Sequence, residues 1–428
     1  MKIGYACIPL CVDAKTTRTF LLKNFSEEKF LETTKENLED LEKILIYNIK
    51  NNIKLFRISS DIIPFGSHEV NSIPWENIFE DKLKSLGNII KENNLRVSMH
   101  PGQYTVLNSN SEEVVKKAIL DLEYHAKFLD SLGVDYSNKI ILHLGGTYGN
   151  KSEAINRFIA NFNTLSSSIK RRLVIENDER NYTIDDILYV CSKIKIPAIF
   201  DNLHHFCNNT GKYSIEEILK LVSYTWKEED GTMKVHYSNQ DPYKKLGAHS
   251  KFLYTKDFIE YYNLVKSLNL DIDIMLEVKN KDISAIKAIN ILNSLTGNEK
   301  KVTIYNEWSK YKYNIMERNY KYYKQCSKLI KEHGNLLDFY TLLDDYLIKP
   351  IDKNNFLNTL MHVNGYFKNI VNTREKSQLT KYLKEAEEKL PEEFLLDNPV
   401  LCRIKSFILK LSEKYEVQYI QSSYYFYH

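Results

Sequence analysis

The sequence predicts an α/β fold: a (β/α)8 TIM barrel followed by a smaller all-α domain. Eight short β-like runs recur over the first 295 residues, separated by helix-length segments with apolar residues three and four apart. No G-x-G-x-x-G follows the first strand, so a doubly wound open sheet lacks its signature. Beyond residue 300 the helical spacing continues and strand-like runs cease.

The strand candidates, in order, are KIGYACI (2–8), LFRISS (55–60), RVSMH (96–100), KIILHLG (139–145), RLVIEN (172–177), AIFDN (198–202), KVHYSN (234–239) and DIMLEV (273–278). Between the third and fourth, SEEVVKKAILDLEYHAKFLDSLG reads as a helix that opens at Ser111 and stops at Gly133. The polar stretch around Gly297 reads as a linker. The expected domains are therefore 1–295 (barrel), 296–304 (linker) and 305–428 (helices).

Lys+Arg number 59 and Asp+Glu 56, a net charge of +3, too small to announce nucleic-acid binding by charge alone. Residues 301–428 carry 20 basic and 16 acidic side chains, so the excess sits there. None of the six cysteines forms a C-x-x-C pair, which leaves reduced thiols as the expectation. No run of eighteen apolar residues and no signal-peptide layout occur, so a cytoplasmic protein without membrane contact is expected.

The strand ends carry the chemistry. His68 lies in the loop after the second strand, and His100 ends the third. His143, Glu176 and Asp201 belong to the next three, with His204 and His205 close behind. His236 lies on the seventh strand, His249 in its loop and Glu277 on the eighth. In a (β/α)8 barrel these ends converge on one face. Imidazoles and carboxylates are the mixed donors that hold Zn²⁺, Mn²⁺ or Fe. Nine donors exceed the needs of one ion, which points to two or three, an arrangement suited to phosphodiester hydrolysis. Any one of these histidines alone reads as a hydrogen-bonded structural residue; the set is what points to metal. His205 is expected to orient a ligand through its other nitrogen.

The blocks FRISSDIIPFGSH, SMHPGQY, LHLGGTYGNK, IENDE, FDNLHH, KVHYS and EVKNKD resemble the ultraviolet damage endonucleases, in order, over nearly all of residues 1–290. The resemblance implies a Mn²⁺ cluster and a nick 5′ to photoproducts in double-stranded DNA, leaving 3′-hydroxyl and 5′-phosphate. No nucleotide cofactor is implied. It carries over as metal ligands His68, His100, His143, Glu176, Asp201, His204, His236, His249 and Glu277. Of these, His143, Glu176 and Glu277 are the catalytic residues together with Lys234, which matches a lysine that can be carboxylated. Gln103 and Tyr104 match a pair inserted into the duplex at the lesion, and Tyr5 matches a residue lining the lesion pocket. Pro9 stands where that family commonly has asparagine. Arg57, Lys151, Arg157 and Arg180 are candidates for phosphate contacts or for ordinary salt bridges. A monomer associated with the nucleoid is expected.

The C-terminal segment NTLMHVNGYFKNIVNTREKSQLTKYLKEAEEKLP, with the closing YIQSSYYFYH, resembles the YbgA-type domain of unknown function, DUF1722. Gly365 within it is expected to permit a close approach or to end a helix. His362 and Tyr366 read either as interhelical packing or as a nucleic-acid or small-molecule site. Two other readings of the whole chain remain open at this point. One is a metal-dependent sugar isomerase or epimerase on the same barrel; the other is a non-catalytic damage-binding protein.

Overall fold

Eight parallel strands close into a barrel in sequential order: β1 (Ile3–Ala6), β2 (Leu55–Ile58), β3 (Arg96–Met99), β4 (Lys139–His143), β5 (Leu173–Glu176), β6 (Ala198–Asp201), β7 (Met233–Tyr237) and β8 (Ile272–Leu276), with β8 pairing back onto β1. This computed structural model describes residues 1–332 and 334–427. Among them, no helix is long and apolar enough to cross a membrane.

The strands are buried on both faces, so they read as near-continuous apolar runs. Strand parity sorts them. Alternate residues face the axis, which puts Lys139, Ile141 and His143 on one line, with Val174 and Glu176, Ile199 and Asp201, and Lys234 and His236 on the next three. Ile141, Val174 and Ile199 form an apolar plug inside the barrel, sealed by Trp226. Towards the N-terminal ends lies a floor of ion pairs. Arg96 meets Asp273 at 2.9 Å, and Lys139 binds Asp230. The plug and floor separate the C-terminal rim, where the polar strand ends gather, from the opposite face.

The helix Glu112–Ser131 starts where the sequence places it. The Ser111 side chain accepts from the Val114 N–H, and the chain turns at Gly133 with φ +64°.

The molecule divides into two compact units, Met1–Leu253 with Ile259–Ile289, and Tyr254–Phe258 with Asn290–His428. Residues 296–302 do connect the helices Lys281–Leu295 and Thr303–Met316. The units nevertheless part earlier than the expected linker, inside the last barrel helix. Side-chain bonding shows why. Asn290 donates to the Tyr340 hydroxyl, and Thr255 donates to Asp344, so both short segments bond within the second unit.

The second unit is helical, with one exception to the all-α expectation. Ile351–Asp352 and Glu393–Phe394 pair as a two-residue antiparallel ladder, too short to leave a period in the sequence. Gly365 follows the helix Lys353–Asn364 and begins a 3-10 turn. A Cβ added there would meet nothing within 4 Å, so the helix-end expectation stands and the close-approach one does not.

Glu317 is fully buried in this unit, 2.9 Å from the Lys405 ammonium and 3.2 Å from the Arg318 guanidinium. Replacing it with leucine removes the carboxylate that faces two buried cations. We expect Glu317→Leu to cost about 3–5 kcal/mol, read as a lower denaturation midpoint of this unit.

Candidate metal centre and nucleic-acid interface

At the C-terminal rim, two groups of donors form. His100, His143 and Glu176 make one; Asp201, His236 and Glu277 make the other, with ligand atoms within 4.8 Å in each. Glu176 joins them. Its carboxylate lies 2.9 Å from His143 Nε2 and 3.2 Å from His100 Nε2, and its other oxygen contacts His236 Nδ1. His236 Nδ1 also lies 3.3 Å from Glu277. The rings of His143 and His204 are 5.9 Å apart, and those of His204 and His249 6.1 Å, so His204, on the short helix Asn202–Cys207, and the loop residue His249 border the same space.

The electrostatics suit cations. Burial raises the Glu176 carboxyl, but His236 and His143 outweigh it and hold it well below the ordinary range. Burial likewise opposes ionisation of Glu277, and Arg57 and His236 overcome it. Asp201 is pushed up by burial against the pull of His204. Burial brings His100 down to about 4, which keeps its imidazole neutral as a ligand must be. Burial lowers His204, yet Asp201, Glu176 and Glu277 raise it to about 9. Asp201 Oδ2, His143 Nδ1 and His249 Nδ1 are buried without a hydrogen-bond partner. Orphaned donor atoms beside excess negative charge fit divalent metal.

His68 is not drawn into these groups. It is exposed, its Nδ1 accepts from the Val70 N–H, and its ring packs on Phe65 at 5.9 Å.

Lys234 lies one layer below His236, fully buried, and its ammonium nitrogen has no hydrogen-bond partner. Burial, reinforced by Arg96, pulls it well below the ordinary lysine range.

Pro101-Gly102 turns the chain after β3, and the Thr105 N–H donates to the Gly102 carbonyl at 2.9 Å. Gln103 and Tyr104 project from this turn, and Tyr104 is 81% exposed. A Cβ on Gly102 would come within 2.6 Å of the Tyr104 ring, so glycine leaves the ring its place.

Three expectations need correction. Tyr5 is fully buried and cannot line a surface pocket in this conformation; its hydroxyl donates to Asn48 at 2.9 Å and its ring packs on Phe56. Its strand register with outward-facing Phe56 turns it away from the axis. Arg57 is no surface phosphate contact: it is buried, ion-paired with Glu277 and 3.1 Å from His236 Nε2. His205 orients no ligand, since its ring packs on Phe200 and its Nδ1 is unpartnered. The His204 ring is instead held by the Asn177 carbonyl at 3.0 Å. Of the remaining basic candidates, Lys151 pairs with Asp186 and Arg157 donates to the Asn108 carbonyl, while Arg180 stays exposed beside Glu179.

Sequence reasoning missed the support beneath the rim. Asp121, on the helix Glu112–Ser131, accepts from Ser67 at 2.8 Å and from Thr105 at 2.6 Å. It thereby ties the His68 loop and the Tyr104 loop together. One turn on, His125 contacts Ser60 Oγ at 2.8 Å, and Ser60 donates to the His100 carbonyl. The i, i+4 spacing of Asp121 and His125 on one helix face was the only signal. We expect Asp121→Ala to cost about 1–3 kcal/mol of stability through two lost hydrogen bonds.

Comparison with known proteins agrees with this geometry. Residues 1–309 match the UV-endonuclease UvdE family, and residues 312–428 match DUF1722, a family of unknown function. The chain is 48% identical to a UV DNA damage endonuclease of Clostridium perfringens (strain 13 / Type A), over 99% of each chain. It is 37% identical to a UV DNA damage endonuclease of Bacillus cereus (strain Q1), over 69% of this chain and 96% of the relative. The crystal structure of SacUVDE, 42% identical, covers 69% of this chain and 99% of its own, with a TM-score of 0.65. The chain is therefore an endonuclease of the UV-endonuclease UvdE family.

Proposed function

We propose that the barrel nicks duplex DNA immediately 5′ of ultraviolet photoproducts, leaving 3′-hydroxyl and 5′-phosphate ends, with Mn²⁺ at the rim. The observation that carries this reading is the joined pair of donor groups centred on Glu176, at the C-terminal rim where barrels keep their active sites. The names of the relatives support the substrate: cyclobutane dimers, 6-4 photoproducts and abasic sites are the lesions this reading includes.

His100, His143, Glu176, Asp201, His236 and Glu277 would hold the ions, with His68 and His249 supplied by loops and His204 by the short helix Asn202–Cys207. When bound, divalent ions lower the pKa of water and neutralise charge on a phosphodiester. The chain's own residues do the rest. Glu176 bonds His100, lies 2.9 Å from His143 and contacts His236 through its other oxygen. Arg57 orients Glu277 and His236 from inside the barrel. Gln103 and Tyr104 enter the duplex at the lesion, where a poorly stacked photodimer leaves the helix at low cost. The phenol ring fills the space left behind.

Lys234 is proposed to be carboxylated. Its neutral amine adds to CO₂, an N–C bond forms, one proton leaves, and the product is an anionic carbamate. The free amine is the form that reacts, and burial without a hydrogen-bond partner disfavours the ammonium. We expect Lys234→Met to lower nicking about 10–100-fold, the range for loss of a group that tunes a metal site. Labelled bicarbonate should give a carbamate carbon resonance in the parent and none in the variant.

The function itself is tested on supercoiled plasmid, irradiated or not, with Mn²⁺ or chelator. Relaxation confined to irradiated plasmid with Mn²⁺ is the expected result. Turnover of a ketose without any nicking would instead favour the sugar-isomerase reading. Lesion binding without cleavage under every metal would favour the binding-only reading.

A further inference from the structure

We propose that the C-terminal unit is a second nucleic-acid site, one that holds single-stranded DNA by stacking its bases on paired tyrosines beside a row of lysines. This inference does not depend on what the barrel cuts.

The helix Tyr320–Lys331 reads YKYYKQCSKLIK and contains no acidic residue. Its lysines, Lys321, Lys324, Lys328 and Lys331, are spaced three, four and three apart, so they share one face. All four are exposed, while Cys326 and Ile330 are buried and anchor the helix from another side. The one ion pair on this row, Lys328 with Glu332, is an exposed 3.7 Å contact. The row is about 15 Å long at helical rise, a length over which one strand of duplex geometry presents about four phosphates.

Beside the lysines lie two tyrosine stacks. Tyr320 stacks on Tyr323 with centroids 5.4 Å apart and planes 8° from parallel. Tyr366 stacks on Tyr419 at 5.6 Å and 17°. Lys324 lies over Tyr320 at 5.0 Å, and Lys312 over Tyr419 at 4.6 Å. Tyr323 packs against the core cluster that contains Tyr313, and the Tyr313 hydroxyl donates to that of Tyr366 at 3.3 Å, which links the two stacks. Tyr320, Tyr366 and Tyr419 nevertheless expose between 37% and 41% of their surface. The buried aromatic core of the unit is built from other residues, among them Phe356, Phe367 and Tyr425.

The combination selects the partner. An acidic peptide would use the lysines but offers few flat faces to paired rings. A lipid surface would want aliphatic side chains along the helix, and this helix gives lysine. A single strand supplies both halves: phosphates for the lysines and a π-face on every base for the rings. Duplex DNA hides those faces, which favours the single-stranded form.

The test is fluorescence anisotropy of a labelled short oligothymidylate with the full chain, in chelator so that no strand is cut, over a range of salt. The variant with Lys321, Lys324, Lys328 and Lys331 all changed to glutamine should bind at least about tenfold more weakly at 0.1 M salt. Its plot of log affinity against log salt should flatten by about 2–3, near 0.7 for each lost phosphate contact. The pair Tyr366→Leu with Tyr419→Leu should lose roughly tenfold in affinity without changing the slope. The pair Tyr366→Phe with Tyr419→Phe keeps the rings and should bind like the parent, which separates stacking from folding. Binding by the leucine pair within twofold of the parent, or an unchanged salt slope in the lysine variant, would overturn the proposal.

Discussion

Changing Glu176 to glutamine should lower nicking of irradiated DNA by about a thousandfold, equivalent to roughly 4 kcal/mol of lost barrier reduction. The substitution keeps the shape of the side chain and removes its charge. Glu176 is 1% exposed, and its two oxygens serve His143, His100 and His236 together. An amide offers one acceptor and one donor, so an N–H faces an imidazole that needs an acceptor. Two effects follow. The imidazoles lose the anion that fixes their orientation, and the rim loses a negative charge that holds cations. The second has a readout apart from activity. A bound ion stabilises the folded barrel by about 2.7 kcal/mol at a hundred times its dissociation constant. Mn²⁺ should therefore raise the melting temperature of the parent barrel by several degrees and that of Glu176→Gln hardly at all.

The second large effect is expected at Tyr104. Its ring is 81% exposed and supports nothing in the core, so Tyr104→Ala should change stability by no more than about 0.5 kcal/mol. Yet the ring is the flat group presented beside His100 at the rim. Loss of one base–aromatic stack is worth about 1–3 kcal/mol, which corresponds to roughly 5–150-fold. We expect kcat/KM on a duplex with one photodimer to fall within that range, with Mn²⁺ stabilisation of the barrel unchanged. Tyr104→Phe should keep most of the activity. A drop in Mn²⁺ stabilisation on Tyr104→Ala would show that the turn supports the metal residues instead of engaging DNA.

Much of the rim was legible in the sequence because a parallel barrel brings consecutive strand ends together. His100, His143, Glu176, Asp201, His236 and Glu277 each end or follow a strand, and parity then turns them inward. Loop residues were less legible, since nothing in the sequence sets how a loop folds: His68 stands apart while Tyr104 projects. Tyr5 and Arg57 show another limit. Strands buried on both faces lack the alternation that would tell an outward tyrosine from an inward arginine. Asp121 and Ser60 were illegible because their roles rest on hydrogen bonds between distant segments. Within the second unit, the lysine spacing was plain in the sequence, but the tyrosine stacks join helices far apart in the chain.

The central claim, that the rim is a metal-dependent nuclease guided by damage, is tested most directly on an end-labelled duplex with a single photodimer. The account calls for one incision, at the phosphodiester immediately 5′ of the dimer, with 3′-hydroxyl and 5′-phosphate ends. That incision should require Mn²⁺, vanish with chelator and fall about a thousandfold in Glu176→Gln. Incision that persists in chelator, falls equally on undamaged duplex, or stays near the parent rate in Glu176→Gln would contradict it.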